Sequence, residues 1–157
     1  MTLRSLAVRS LLFSAVSAHL LVAASAARLH YYEDLLKQAT TFCKQAAKAP
    51  PVVVSEDDPK SRAAPQGHAV SLVVLSKSGK LLRISYFRSG TLIAIEHLGA
   101  GATVVRRDVY QGKKIRVQQF FDEEHNLSQV TFLDVQGKVV HRKQLPVAAP
   151  FPGWVYG

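Results

Sequence analysis

LLRISYFRSGTLIAIEHLGAGATVVRRDVYQG, residues 81–112, decides the fold. Runs rich in branched and aromatic residues alternate with turn signals, and glycines recur every 11 residues at Gly79, Gly90, Gly101 and Gly112. Asn126 and Gly137 resume that interval after a slip of three residues. Strands of this length joined by turns this short run antiparallel to their neighbours. Each turn holds a residue that tolerates a positive φ angle, which tight hairpins require.

The spacing predicts strands at 70–76, 81–87, 92–98, 103–110, 115–121, 128–135 and 139–144. Alternation assigns their faces. Leu82, Ile84 and Tyr86 oppose Arg83 and Ser85; Ile115, Val117 and Phe121 oppose Arg116 and Gln118; Val130 and Phe132 oppose Gln129 and Thr131. One face is therefore apolar and the other polar and basic, the signature of an antiparallel sheet packed on one side. Arg106 and Arg107 are adjacent, so one of them must reach the apolar side or its rim. Leu81, Phe87, Val104 and Phe120 fall on the nominally polar side. That excess predicts partial cover of the second face and enough curvature for a half-barrel.

Residues 29–48 lack Gly and Pro. Leu29, Tyr32, Leu36, Ala39, Cys43 and Ala46 alternate spacings of three and four, which places them on one helical stripe. Leu35 and Phe42 widen the stripe, and Pro50 and Pro51 end it. The apolar face of a sheet needs a cover, and this amphipathic helix is the available one. The fold class expected is α+β: one N-terminal helix on a twisted antiparallel meander of about seven strands.

The flanks divide the chain further. Residues 1–27 carry Arg4 and Arg9, an apolar block over 11–24, and the small residues Ala24-Ser25-Ala26. That is the order of a secretory signal, with cleavage after Ala26 or Ala27. Export to the periplasm or the exterior is expected; a mitochondrial presequence and an uncleaved membrane anchor are the rivals. The apolar block is shorter than a spanning helix needs, so no transmembrane span is expected in the mature chain. Residues 28–49 are the helix, 50–68 a Pro-rich acidic linker in which Val52-Val53-Val54 can add a short edge strand, and 69–145 the meander. Residues 146–157 form a tail with Pro146, Pro150, Pro152, Phe151, Trp154 and Tyr156.

The formal charge is +9, and removing Arg4 and Arg9 leaves about +7. A basic chain favours acidic partners. No run of five or six like charges marks a nucleic-acid arm, and nucleic acid is not expected as a partner of an exported protein. Cys43 stands alone, which excludes an intramolecular disulfide and any multi-cysteine zinc site. There is no HExxH, no Gly-x-Ser-x-Gly elbow and no phosphate-binding loop. No catalytic residue, metal ligand or cofactor site is assigned. His97 and His141 lie on strands and would serve catalysis only if the fold brought them together with a carboxylate. Arg83, Arg106, Arg116 and Arg142 are the candidate binding stripe, with Tyr110 and Phe120 among them; Trp154 and Tyr156 are candidate anchors in the tail.

Tyr86-Phe87-Arg88-Ser89-Gly90-Thr91-Leu92 and the stretched copy from Phe121 to Leu127 repeat an aromatic, a short turn, Gly or Asn, then an aliphatic residue. Phe132 to Val139 is a looser copy, and Tyr110-Gln111-Gly112-Lys113-Lys114 is similar to the opening of a MORN-type repeat. The pattern resembles the variant MORN-like hairpin repeats of antitoxin-like and envelope proteins. It departs from them in lacking their second Gly and repeated aromatic. The resemblance implies a noncatalytic interaction scaffold, while the positive charge and the expected export make an acidic protein or an anionic envelope component the expected partner. The leading expectation is an exported binding protein of inhibitor or immunity type. A lipid or small-ligand carrier is the alternative, and an enzyme of unknown type stands third.

Overall fold

The computed structural model describes residues 28–145. The expected signal segment and the aromatic tail, with Trp154 and Tyr156, lie outside the described residues. Residues 28–46 are helical (α1) and eight strands follow: β1 (Val52–Ser55), β2 (Ala69–Leu75), β3 (Leu81–Arg88), β4 (Thr91–Leu98), β5 (Val104–Gln111), β6 (Lys114–Phe121), β7 (Leu127–Leu133) and β8 (Val139–Gln144). They form one sheet in chain order. The fold is α+β, as expected, and the sheet is not closed, since β1 and β8 are its two edges. β1 pairs with β2 in parallel, and every later pair is antiparallel. Among the described residues no helix is long and apolar enough to cross a membrane.

The chain divides into two units, residues 1–34 and 35–157. In the first, His30 and Asp34 pair across one helical turn at 3.3 Å, and the Tyr31 and Tyr32 rings meet edge to face. In the second, α1 runs on to residue 46 and then tightens: Lys48 N–H reaches the Gln45 carbonyl and Ala49 N–H the Ala46 carbonyl. These shorter bonds satisfy helix-end carbonyls before Pro50 stops the chain. Phe42, Cys43 and Ala46 pack on Tyr86 and Ala94 of the sheet, flanked by Ala69, Ile84 and Ile93. Burial on this scale stabilises by about 1.5–3 kcal/mol for a residue the size of Phe42.

The turns follow their glycines. Ser89 (φ 47) and Gly90 (φ 82) make a two-residue hairpin with both angles positive, and Gly112 (φ 64) opens the next two-residue turn. In the 122–126 turn the positive φ belongs to His125 (φ 68) and not to Asn126. Asp122 explains the difference: its carboxylate accepts from the Glu124 and Asn126 amides and winds the loop so that His125 occupies the left-handed position.

The linker is more structured than a solvated loop. It contains β1 and a 3-10 turn, Pro59–Arg62, capped by the Asp58 side chain. Val54, Leu72, Val74 and Phe87 form a second apolar cluster, on the sheet face opposite α1. The Arg83 guanidinium donates to the Ser61 carbonyl at 3.1 Å, tying the linker over that corner. This is the partial second cover that Phe87 foreshadowed.

Candidate functional site

Directly opposed residues of paired strands share a face, so the register can be read as rows running across the sheet. On the α1 side one row passes through Ile84, Glu96, Arg107, Gln119 and Val130. Three polar residues thus stand side by side in what the alternation marked as the apolar face. Arg107 is the member of the Arg106-Arg107 pair that turns inward, as one of the two had to.

They hydrogen-bond to one another. Arg107 Nη2 donates to Glu96 Oε2 at 2.9 Å, and its Nη1 to Gln119 Oε1 at 3.1 Å. The Tyr86 hydroxyl donates to the other Glu96 oxygen. The Arg107 guanidinium also lies 5.1 Å from the centre of the Phe121 ring. Burial pushes the Glu96 carboxyl up; the Arg107 charge and the two hydrogen bonds oppose it. Burial pushes Arg107 down, opposed by Glu96. Burial and the Glu96 charge push the Cys43 thiol up, which makes it an inert core group. The network is sealed from solvent.

The opposite face carries the accessible chemistry. One of its rows runs Arg83, His97, Arg106, Phe120, Gln129, Gln144, one residue from each of β3 to β8. The next runs Ser85, Ile95, Asp108, Gln118, Thr131, Arg142. Asp108 is the hub. Its carboxylate accepts from His97 Nε2 at 2.9 Å and from Gln118 Nε2 at 3.0 Å, and Arg106 Nε lies 3.2 Å away. That last contact is an ion pair and not a directed hydrogen bond, because the Arg106 Nε–H has no aligned acceptor. Burial alone would raise the Asp108 pKa; the His97 and Gln118 hydrogen bonds and the Arg106 charge outweigh it and hold the carboxyl below its ordinary value.

The ionised Asp108 settles the His97 tautomer. Nε2 carries the proton that Asp108 accepts, so the 3.2 Å approach of Arg106 Nη2 to that same nitrogen is a contact and not a second hydrogen bond. The side chain of Asp108 is 2% exposed, whereas those of His97 and Arg106 are 32% and 40% exposed. The cluster therefore hides its anion and leaves the His97 ring and the Arg106 guanidinium accessible. Burial raises the Tyr110 pKa and the Asp108 charge adds to the shift, which places that phenol within the cluster's field.

The expected basic stripe is only partly assembled. Arg83 and Arg106 share a row, and Arg142 lies in the adjacent row of the same face. Arg116 does not join them. It is the extra residue where the β5–β6 register shifts between Val109 and Tyr110, and its guanidinium is spent on the Leu133 carbonyl (3.0 Å) and Gln111 (2.6 Å). Phe120 opposes Arg106 directly. His97 and His141 do not converge: His141 opposes Phe132 on the α1 side, stacked on its ring at 5.9 Å. Among the described residues no group of three or more His, Cys, Asp or Glu is placed to hold a metal ion.

Two open clefts of about 310 Å³ each lie off the rows. One borders the His68–Ser89 hydrogen bond (2.8 Å) and the Arg88 guanidinium stacked on Phe42. The other lies between Val105, Phe121 and the 122–125 turn.

No protein-family model matches the chain, and no curated protein matches it. Among solved structures, the crystal structure of TarM is similar over 43% of this chain at 14% identity, with a TM-score of 0.36. The crystal structure of the GtfA/B complex bound to UDP and GlcNAc is similar over 69% at 10% identity, with a TM-score of 0.39. The chain spans 13% and 32% of those structures' own lengths.

Proposed function

We propose that this is a small exported binding protein without catalytic activity, acting through the open face of its sheet on an acidic partner. The partner is an acidic protein or an anionic envelope component, and inhibition of such a protein is one concrete form. One observation supports the reading. Across all eight strands the only acids are Glu96 and Asp108, at 0% and 1% exposure, and each is held by an arginine. The charges that the strands offer to solvent are therefore cationic. A surface of that kind attracts anions over a Debye length of ~8–10 Å and loses its hold as salt rises.

The test is retention of the purified protein on an immobilised polyanion. Arg83→Gln combined with Arg142→Gln should elute at clearly lower salt than wild type. Lys113→Gln combined with Lys138→Gln removes the same charge from exposed turns and should elute close to wild type. Equal shifts for both pairs would mean that net charge alone governs retention, and the surface reading would fail.

A further inference from the structure

The open-face row from Arg83 to Gln144 is graded. Its β3–β5 end is cationic (Arg83, Arg106) with the His97 ring between the two arginines, its centre is aromatic (Phe120), and its β7–β8 end is a pair of amides (Gln129, Gln144). Neighbouring strands stand ~4.8 Å apart, so the row is roughly 24 Å long, with one side chain per step. We propose that this row is the track on which a linear acidic polysaccharide of the uronic-acid class lies, crossing the strands at right angles. The proposal rests on the reading of the open face as an anion-binding surface and adds the ligand class.

Three features separate this ligand from other anions. First, an extended chain of pyranose units advances by about one strand spacing per unit, so successive units stay in register with successive side chains. Second, the amides are pre-aligned. Gln144 Nε2 donates to Gln129 Oε1 at 2.7 Å, and Gln129 Nε2 donates to Thr131 Oγ1 at 3.0 Å. The Gln144 carbonyl oxygen is then left as an acceptor at the sheet edge. Sugar hydroxyls supply a donor for it, whereas a polyphosphate offers acceptors only. Third, the half-buried Phe120 ring, directly beside Arg106, suits the C–H face of a pyranose whose carboxylate takes the guanidinium in charge-assisted hydrogen bonds. The linker bounds the cationic end, where Arg83 donates to the Ser61 carbonyl.

The experiment is titration of the purified protein at fixed ionic strength with defined oligogalacturonates. Polyglutamate and phosphatidylglycerol vesicles serve as anions of other classes. Saturable uronate binding should tighten with oligomer length up to about five or six units, the span of the row, and then level off. Phe120→Ala should weaken it roughly tenfold. Gln144→Ala, at an exposed edge position that leaves the core untouched, should weaken it severalfold. Neither variant should alter polyglutamate binding. Polyglutamate or vesicle binding as tight as that of the uronates, with Gln144→Ala indistinguishable from wild type, would overturn the polysaccharide assignment and leave the cationic surface standing. No binding to any of the three anions would overturn both.

Discussion

Arg107 Nη2 sits 2.9 Å from Glu96 Oε2 with neither side chain exposed to solvent, and the pair spans adjacent central strands beneath α1. An ion pair this deep is weak evidence for stability in itself, because desolvating both charges costs about what their attraction returns. Its asymmetry is the useful property. Arg107→Met leaves Glu96 buried without its cation and should destabilise by about 3–5 kcal/mol. Replacing both, as Glu96→Leu with Arg107→Met, should recover most of that loss. Urea denaturation of the two single variants and the double variant measures the coupling directly.

Asp108 makes stability fall in acid. Its folded pKa lies below the unfolded value near ~3.9, so its contribution is complete above that value. It is lost as pH drops through the lower folded pKa. Asp108→Asn should cost about 2 kcal/mol at neutral pH and flatten the stability curve below pH ~4. Glu96, whose folded pKa is raised, bends the curve in the opposite sense in both proteins. The difference between wild type and variant therefore isolates Asp108.

Cys43 is fully buried against Tyr86 and Ala94, with its thiol pKa pushed up. A thiol reagent should not label the native protein at pH 8 and should label it stoichiometrically in 6 M guanidinium. Cys43→Ser places a hydroxyl in an apolar contact and should cost about 1–3 kcal/mol. Rapid native labelling would mean that α1 does not cover the sheet as described.

Gly90 holds φ 82 in the β3–β4 hairpin, and a Cβ added there meets nothing within 4 Å. The cost of Gly90→Ala is therefore conformational alone, about 1–2 kcal/mol by thermal melting. Gly112→Ala, with φ 64 and the same open space, should behave alike.

The strands were legible because the glycine interval marks the turns, and observed strand ends lie within two residues of the expected ones. Register was less so. Every antiparallel pair shifts by one residue near one end of its strands. Counting outward from the Leu98–Val104 pair would set Val105 opposite His97 and Arg106 opposite Glu96. The bulge inserts Val105 instead, which is left exposed, and turns Arg107 to Glu96 and Arg106 to His97. A one-residue slip exchanges faces, so alternation alone could not tell which arginine was buried. The same device at Arg116 removed one member of the expected basic stripe. Gln129 and Gln144 gave no signal in the sequence, because an amide on a solvated face is ordinary until its row is known.

Consecutive residues of the sheet face a covered side and an open one. Gln129 and Val130 are neighbours in β7, on the open face and the α1 face respectively. Maleimide labelling of Gln129→Cys and Val130→Cys, read peptide by peptide with Cys43 as internal control, measures that division. The prediction is fast labelling at position 129 and protection at position 130 comparable to Cys43. Equal protection at both positions, or the reverse order, would contradict it.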